Sequence, residues 1–188
     1  MNKLFQYAGI AASVVLIAFG IGAVVIGLNG RDRVATELGR EQIVGTPDST
    51  IPNQLVNTGG EAQAFAKVMR KHTLEATGGK TYAQMPQYLD ASGKGTNDKA
   101  AAAKDPKTGA PTSNPARQIW VTETALTTAL NTAYFAESMA TFVIAMGFAL
   151  LLTGIGFLVL SLRVLRQPSA EAQKRSLRQP TPAVAVPH

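Results

Sequence analysis

The sequence predicts an all-α membrane protein: two transmembrane helices joined by a small helical or irregular extracytoplasmic domain, with the second span continuing outward as a long helix. Three observations carry this reading. Met139 to Leu162 is a run of 24 residues without an ionisable side chain, and at about 1.5 Å rise per residue it reaches across a hydrocarbon core of about 30 Å. Ala8 to Leu28 is a second such run, of 21 residues. From Ala116 onwards no proline appears until Pro168, so nothing in the sequence stops a helix ahead of the second run. The chain therefore divides into an N-terminus over 1–7, a first span over 8–28, an outer domain over 29–136, a second span over 137–163 and a basic, proline-rich tail over 164–188, expected to be disordered.

Charge sets the expected orientation. Residues 29–137 hold twelve basic and eleven acidic side chains, whereas the tail carries Arg163, Arg166, Lys174, Arg175 and Arg178 against Glu171 alone. A basic surplus placed just after an apolar run follows the positive-inside rule and does not call for nucleic acid. Both termini are then cytoplasmic and the 29–136 segment faces outward in a multi-pass plasma-membrane protein. Arg31, Arg33 and Arg40 follow the first run, but Asp32, Glu37 and Glu41 are interspersed among them. Without a cysteine the chain has no disulfide framework and no thiolate site. The first run exceeds the 7–15 residues of a signal h-region and no clean cleavage site follows Leu28, so an uncleaved signal anchor is expected.

Taken in order, Asn29-Gly30 is expected to end the first helix, and Asp32 to cap a short one reaching about Gln42. Residues 45–60, rich in Pro, Asn, Thr and Gly, read as a loop without regular structure. Glu61 to Ala76 is the best soluble helix, with Phe65, Val68, Met69, His72 and Ala76 at spacings of three and four. Thr77-Gly78-Gly79 stops it, and Thr81 with Gln84 has the spacing of a capping box for a second short helix ending near Pro86. Residues 90–113 contain almost no large apolar side chain and read as a mobile loop, or as one that wraps another subunit. Asn114-Pro115 then supplies a cap and an N1 proline for the long last helix.

No nucleophile elbow, phosphate loop or zinc-protease motif is present; Gly78-Gly79-Lys80-Thr81 reads as a C-cap followed by an N-cap. His72 is the sole histidine of the outer region and is expected to pack, partly buried, with Phe65 and Met69. No metal, cofactor or catalytic residue is expected. Neither apolar run holds an ionisable side chain, which argues against a proton relay or ion pathway. Glu137 and Glu123 are expected to be hydrated residues beside the second span.

Small residues are the expected packing surfaces. Thr141, Ala145, Ala149 and Thr153 recur every four residues with Gly156 beyond them, and Ala18 with Gly22 and Ala23 with Gly27 offer matching faces on the first span. These faces are expected to meet each other or a neighbouring subunit. Trp120 is expected to anchor the outer domain, and Tyr134 and Phe135 to lie at interface depth; with Glu123 they are the candidate partner contacts.

ATELGREQIVGTPD at 35–48, HTLEATGGKTYAQMPQY at 72–88 and ARQIWVTETALTTALNTAYFAE at 116–137 resemble a family of two-span integral membrane proteins found mainly in actinobacteria. The resemblance implies the two-span topology and transfers no activity. Some members bear an aromatic ring-opening dioxygenase label, a non-haem iron chemistry whose ligand set one outer histidine does not supply. The expected function is that of a non-catalytic accessory or scaffold subunit of a larger membrane or cell-envelope complex. Its partners would be other membrane subunits or further copies of itself, with the lipid bilayer around the spans. The alternative is an envelope ligand-binding module that uses the outer loop.

Overall fold

The computed structural model describes residues 2–166, with side chains from 7 to 163. Met1 and the expected tail beyond Arg166 lie outside the described residues. The chain is mostly helical: α1 spans Asn2–Arg40, α2 Gly59–Ala76 and α3 Pro115–Arg166, with a 3₁₀ turn at Tyr82–Gln84. Two short strands, β1 at Tyr88–Leu89 and β2 at Gly95–Thr96, pair antiparallel, so the chain is not purely α. α1 and α3 are each long and apolar enough to cross a membrane.

Contacts divide the chain into two compact units, one of residues 1–25 and 143–188, the other of residues 26–142. In the first unit the described parts of α1 and α3 pair antiparallel. A side chain at Gly20 would strike the Gly147 carbonyl and Leu151, and one at Gly147 would strike the Gly20 carbonyl and Val24, all within 3 Å. Gly154 likewise faces Ile17, and Gly9 faces Ser161. The backbones meet where the sequence offers no side chain. Ser13 is fully buried between them, its hydroxyl donating to the Gly9 carbonyl at 2.7 Å. The outward faces carry Phe19, Phe148, Leu152 and Leu160, all more than half exposed.

In the second unit α1 continues through Asn29-Gly30 to Arg40 without the expected break. Gly30 serves close approach here, since a Cβ on it would touch Ala140 at 3.4 Å. Burial of Leu38 with Leu130, flanked by Val34, holds the helix against the cost of about 1 kcal/mol for an internal glycine. Gln42, at φ 51, turns the chain just after the last helical residue.

Residues 43–56 return as a narrow loop closed by a Val44–Leu55 bridge and by the Val56 N–H on the Ile43 carbonyl at 2.8 Å. It inserts Val56, fully buried, into a core with Leu38, Ala62, Ala66 and Leu130. α2 begins two residues before its expected start, because Thr58 and Glu61 form the capping box: Thr58 Oγ1 accepts from the Glu61 N–H, and Glu61 Oε2 accepts from Thr58 N–H. Gly78 and Gly79, both at positive φ, end it as expected.

The 90–113 segment is built on turns and does have a defined path. Asp90 accepts from the Ser92 and Lys94 N–H groups, and Asp105 from those of Lys107 and Thr108. These side-chain turns close two hairpins, and backbone bonds join Leu89 to Ala103 and Thr112. Order comes from satisfied backbone groups, with Ala102 buried beneath them.

Candidate functional site

Three structures within the 26–142 unit gather its polar and apolar chemistry. The first is a clasp around Glu137. Its carboxylate accepts from the Gly59 N–H, the first residue of α2, and from Arg31 Nη2 at 3.2 Å. An anion at a helix N-terminus meets unpaired N–H groups and the positive end of the macrodipole. Gly59 is required there, because a Cβ would fall 2.8 Å from Tyr134 Cα. One side chain thus ties α1, α2 and α3 together. Glu137 is a positioning group for the fold and not the hydrated residue expected.

The second is Trp120, 3% exposed, whose indole N–H donates to the Lys80 carbonyl at 2.9 Å and reaches Thr77 Oγ1 at 3.3 Å. Arg70 covers its ring at 5.2 Å. The chain that stops α2 is thereby pinned to α3. Glu123, one turn further along α3, is also buried rather than hydrated, and accepts from Thr124 Oγ1 at 3.3 Å.

His72 also departs from expectation. Its side chain is exposed and its Nε2 lies 2.9 Å from Asp48 Oδ2, which accepts as well from Lys71 Nζ at 2.8 Å. Hydrogen bonds from Lys71, His72 and Thr46 hold the Asp48 carboxyl well below the usual carboxylate range, and the same pair raises Lys71. The face of α2 that packs is set by Ala62, Ala66, Val68 and Thr73, with Phe65 and Met69 half-buried beside it. Burial works against charge on Glu61, but the hydrogen bonds from Asn57 and Thr58 outweigh it and lower that carboxyl too.

The third is an open groove of about 430 Å³ between Val34, Leu38 and Ile43 on one wall and Leu126, Leu130 and Ala133 on the other. Arg33, Glu37 and Glu41 rim it on the α1 side. The floor is apolar and is continuous with the Leu38–Leu130 core. Among the described residues no three His, Asp or Glu side chains converge to hold a metal ion, and every fully buried side-chain polar atom has a partner.

The expected packing residues are placed as follows. Gly27 is buried, Gly22 and Ala23 are half-buried, and Ala18 is exposed. Thr141, Ala145, Ala149, Thr153 and Gly156 are all exposed, so the pairing with α1 leaves that stripe outward. On α3 of the first unit the residues turned inward are Ile144, Gly147, Leu151, Gly154, Leu158 and Ser161, alternating steps of three and four. That alternation was the usable signal: a strict step of four drifts roughly 40° round a helix each time, whereas steps averaging 3.5 stay on one face. Tyr134 and Phe135 are exposed, at 39% and 64%.

Compared with family models, curated proteins and solved structures, the chain matches none.

Proposed function

We propose that this chain is a membrane-anchored scaffold subunit: two spans fix it in the bilayer and the outer domain presents a helix-lined groove to a partner in a larger envelope complex. The observation that carries the reading is the use to which the outer domain puts its side chains. Glu61, Glu137 and Trp120 close the fold on itself, while the groove between α1 and α3 leaves Leu126 43% exposed beside a core already formed. An uncovered apolar groove of this kind suits association with another protein surface. In the spans, exposed Phe and Leu side chains suit lipid, and the outward Thr141–Thr153 stripe suits close approach of another helix. The basic tail supports an orientation with both termini in the cytoplasm and residues 29–136 outside.

The test is extraction in a mild detergent followed by sizing and mass identification. A companion at fixed stoichiometry that is lost with Leu126→Arg and kept with Lys67→Glu, on the exposed side of α2, is the expected result. A chain that purifies alone, or a companion indifferent to Leu126→Arg, overturns the reading.

A further inference from the structure

We propose that the cleft where α3 begins is a binding site for an acidic saccharide, a sugar chain bearing carboxylate groups. The cleft, of about 710 Å³, runs between Tyr82, Gln87 and Tyr88 on one side and Asn114, Arg117 and Gln118 on the other. That volume is within the few hundred to about 1,000 Å³ of small-molecule sites. It shares no residue with the Leu126 groove and stands independently of the scaffold reading.

Charge makes the first selection. Arg117 is the one charged side chain in the lining, so an anionic ligand is favoured and a cationic one repelled. Its Nη1 donates to the Met85 carbonyl at 3.0 Å and its guanidinium lies 3.8 Å over the Tyr82 ring. Those two contacts fix the plane of the group and occupy one N–H; the remaining donors suit the two oxygens of a carboxylate.

Hydroxyl groups make the second. Gln87 and Gln118 are exposed, and among the described residues neither side-chain amide has an intramolecular hydrogen bond. An amide both donates and accepts, as do the Tyr82, Tyr88 and Ser113 hydroxyls, and a ring with adjacent hydroxyls needs both at once. A bare carboxylate or phosphate accepts only and would leave the amide acceptors idle.

The third is an apolar wall. Tyr82 and Val121 also line an adjoining cleft of about 490 Å³ with Trp120, Ala125 and Thr128. Sugar rings have an apolar face as well as a polar edge, and an aromatic or aliphatic wall beside amides meets both. The cleft is also held in shape before any ligand arrives: Asn114 Nδ2 donates to the Pro86 carbonyl at 3.0 Å, and Asn114 N–H to the Gln87 carbonyl at 2.9 Å.

The test uses the full chain in lipid nanodiscs, titrated calorimetrically with tetragalacturonate, with neutral maltotetraose and with acetate. The expected result is tetragalacturonate binding at least tenfold tighter than either control, and weakened at least tenfold by Arg117→Gln. Because Arg117 also holds the Met85 carbonyl, the double variant Gln87→Ala/Gln118→Ala, at exposed and unbonded amides, is the second arm and is expected to weaken binding at least fivefold with an unchanged circular dichroism spectrum. Absence of tetragalacturonate binding at millimolar concentration, equal binding of maltotetraose, or full affinity in the double variant overturns the proposal.

Discussion

The two units of this chain hold together by different balances of contact. In residues 1–25 and 143–188 the helices meet through glycines: Gly20 against Gly147, Gly154 against Ile17, Gly9 against Ser161. In residues 26–142 they meet over an apolar core of Leu38, Ala62, Ala66 and Leu130, and polar contacts close it: a carboxylate clasp across three helices and an indole bonded to a carbonyl. The difference follows from the solvent each is proposed to occupy. In lipid the surroundings are as apolar as the side chains, so association rests on close dispersion contact, which small residues permit. In water, apolar burial supplies the drive and polar groups must be satisfied as they are covered.

Substitutions that exchange these means sharpen the contrast. The largest effect is expected for Trp120→Ala, which empties a buried site and leaves the Lys80 carbonyl with the Thr77 hydroxyl as its one remaining side-chain donor. A loss of about 3–5 kcal/mol from the 26–142 unit should appear as early proteolysis and a lowered unfolding midpoint. Next, Gly147→Leu places a side chain where the Gly20 carbonyl and Val24 already stand. It should cost the helix pair about 1–3 kcal/mol or more, read as separation of introduced cross-linking sites in micelles. Glu137→Ala removes the acceptor at the start of α2 and the partner of Arg31, for a loss of about 1–3 kcal/mol. Were Glu137→Ala as stable as the native chain, the clasp would not be what joins the three helices.

Acid sharpens the comparison further. The Asp48 and Glu61 carboxyls titrate lower in the folded chain than in the unfolded one. Their contribution is present above the ordinary carboxylate value of about 4 and is lost as pH falls through the depressed values. The unfolding midpoint of the 26–142 unit should therefore be level above about pH 5 and decline below about pH 4, with a shallower decline in Asp48→Asn. The smallest effect is expected for Ala149→Leu: the position is exposed, so the α1–α3 pairing should be unaltered in thermal scans. Loss of a higher-order assembly with that variant would assign the outward stripe to a neighbouring subunit.

What could be read from the sequence was local or periodic. Asn114-Pro115, Thr81 with Gln84, Gly78-Gly79 and the unbroken run from Ala116 each announce an element within a few residues, and the structure places elements there. The Glu137 clasp could not be read, since its partners lie 106 and 78 residues away and nothing near Glu137 names them. Asn29-Gly30 misled because a breaker's local cost is smaller than the burial that holds the helix through it. Residues 90–113 misled in another way. Scarcity of large apolar side chains suggests lack of order, while Asp90-Ala91-Ser92-Gly93 and Asp105 to Gly109 carry turn chemistry that orders a chain without a core of its own. The cleft at Arg117 was invisible because its two walls come from either side of that segment.

The proposed arrangement is a hairpin of two membrane-crossing helices with residues 29–136 outside the cytoplasm. The chain has no cysteine, so Lys99→Cys, at an exposed position, introduces a unique thiol. Treated with a membrane-impermeant maleimide, intact cells should label that thiol as fully as permeabilised cells do. Labelling that appears only after permeabilisation would place the domain in the cytoplasm and contradict the account.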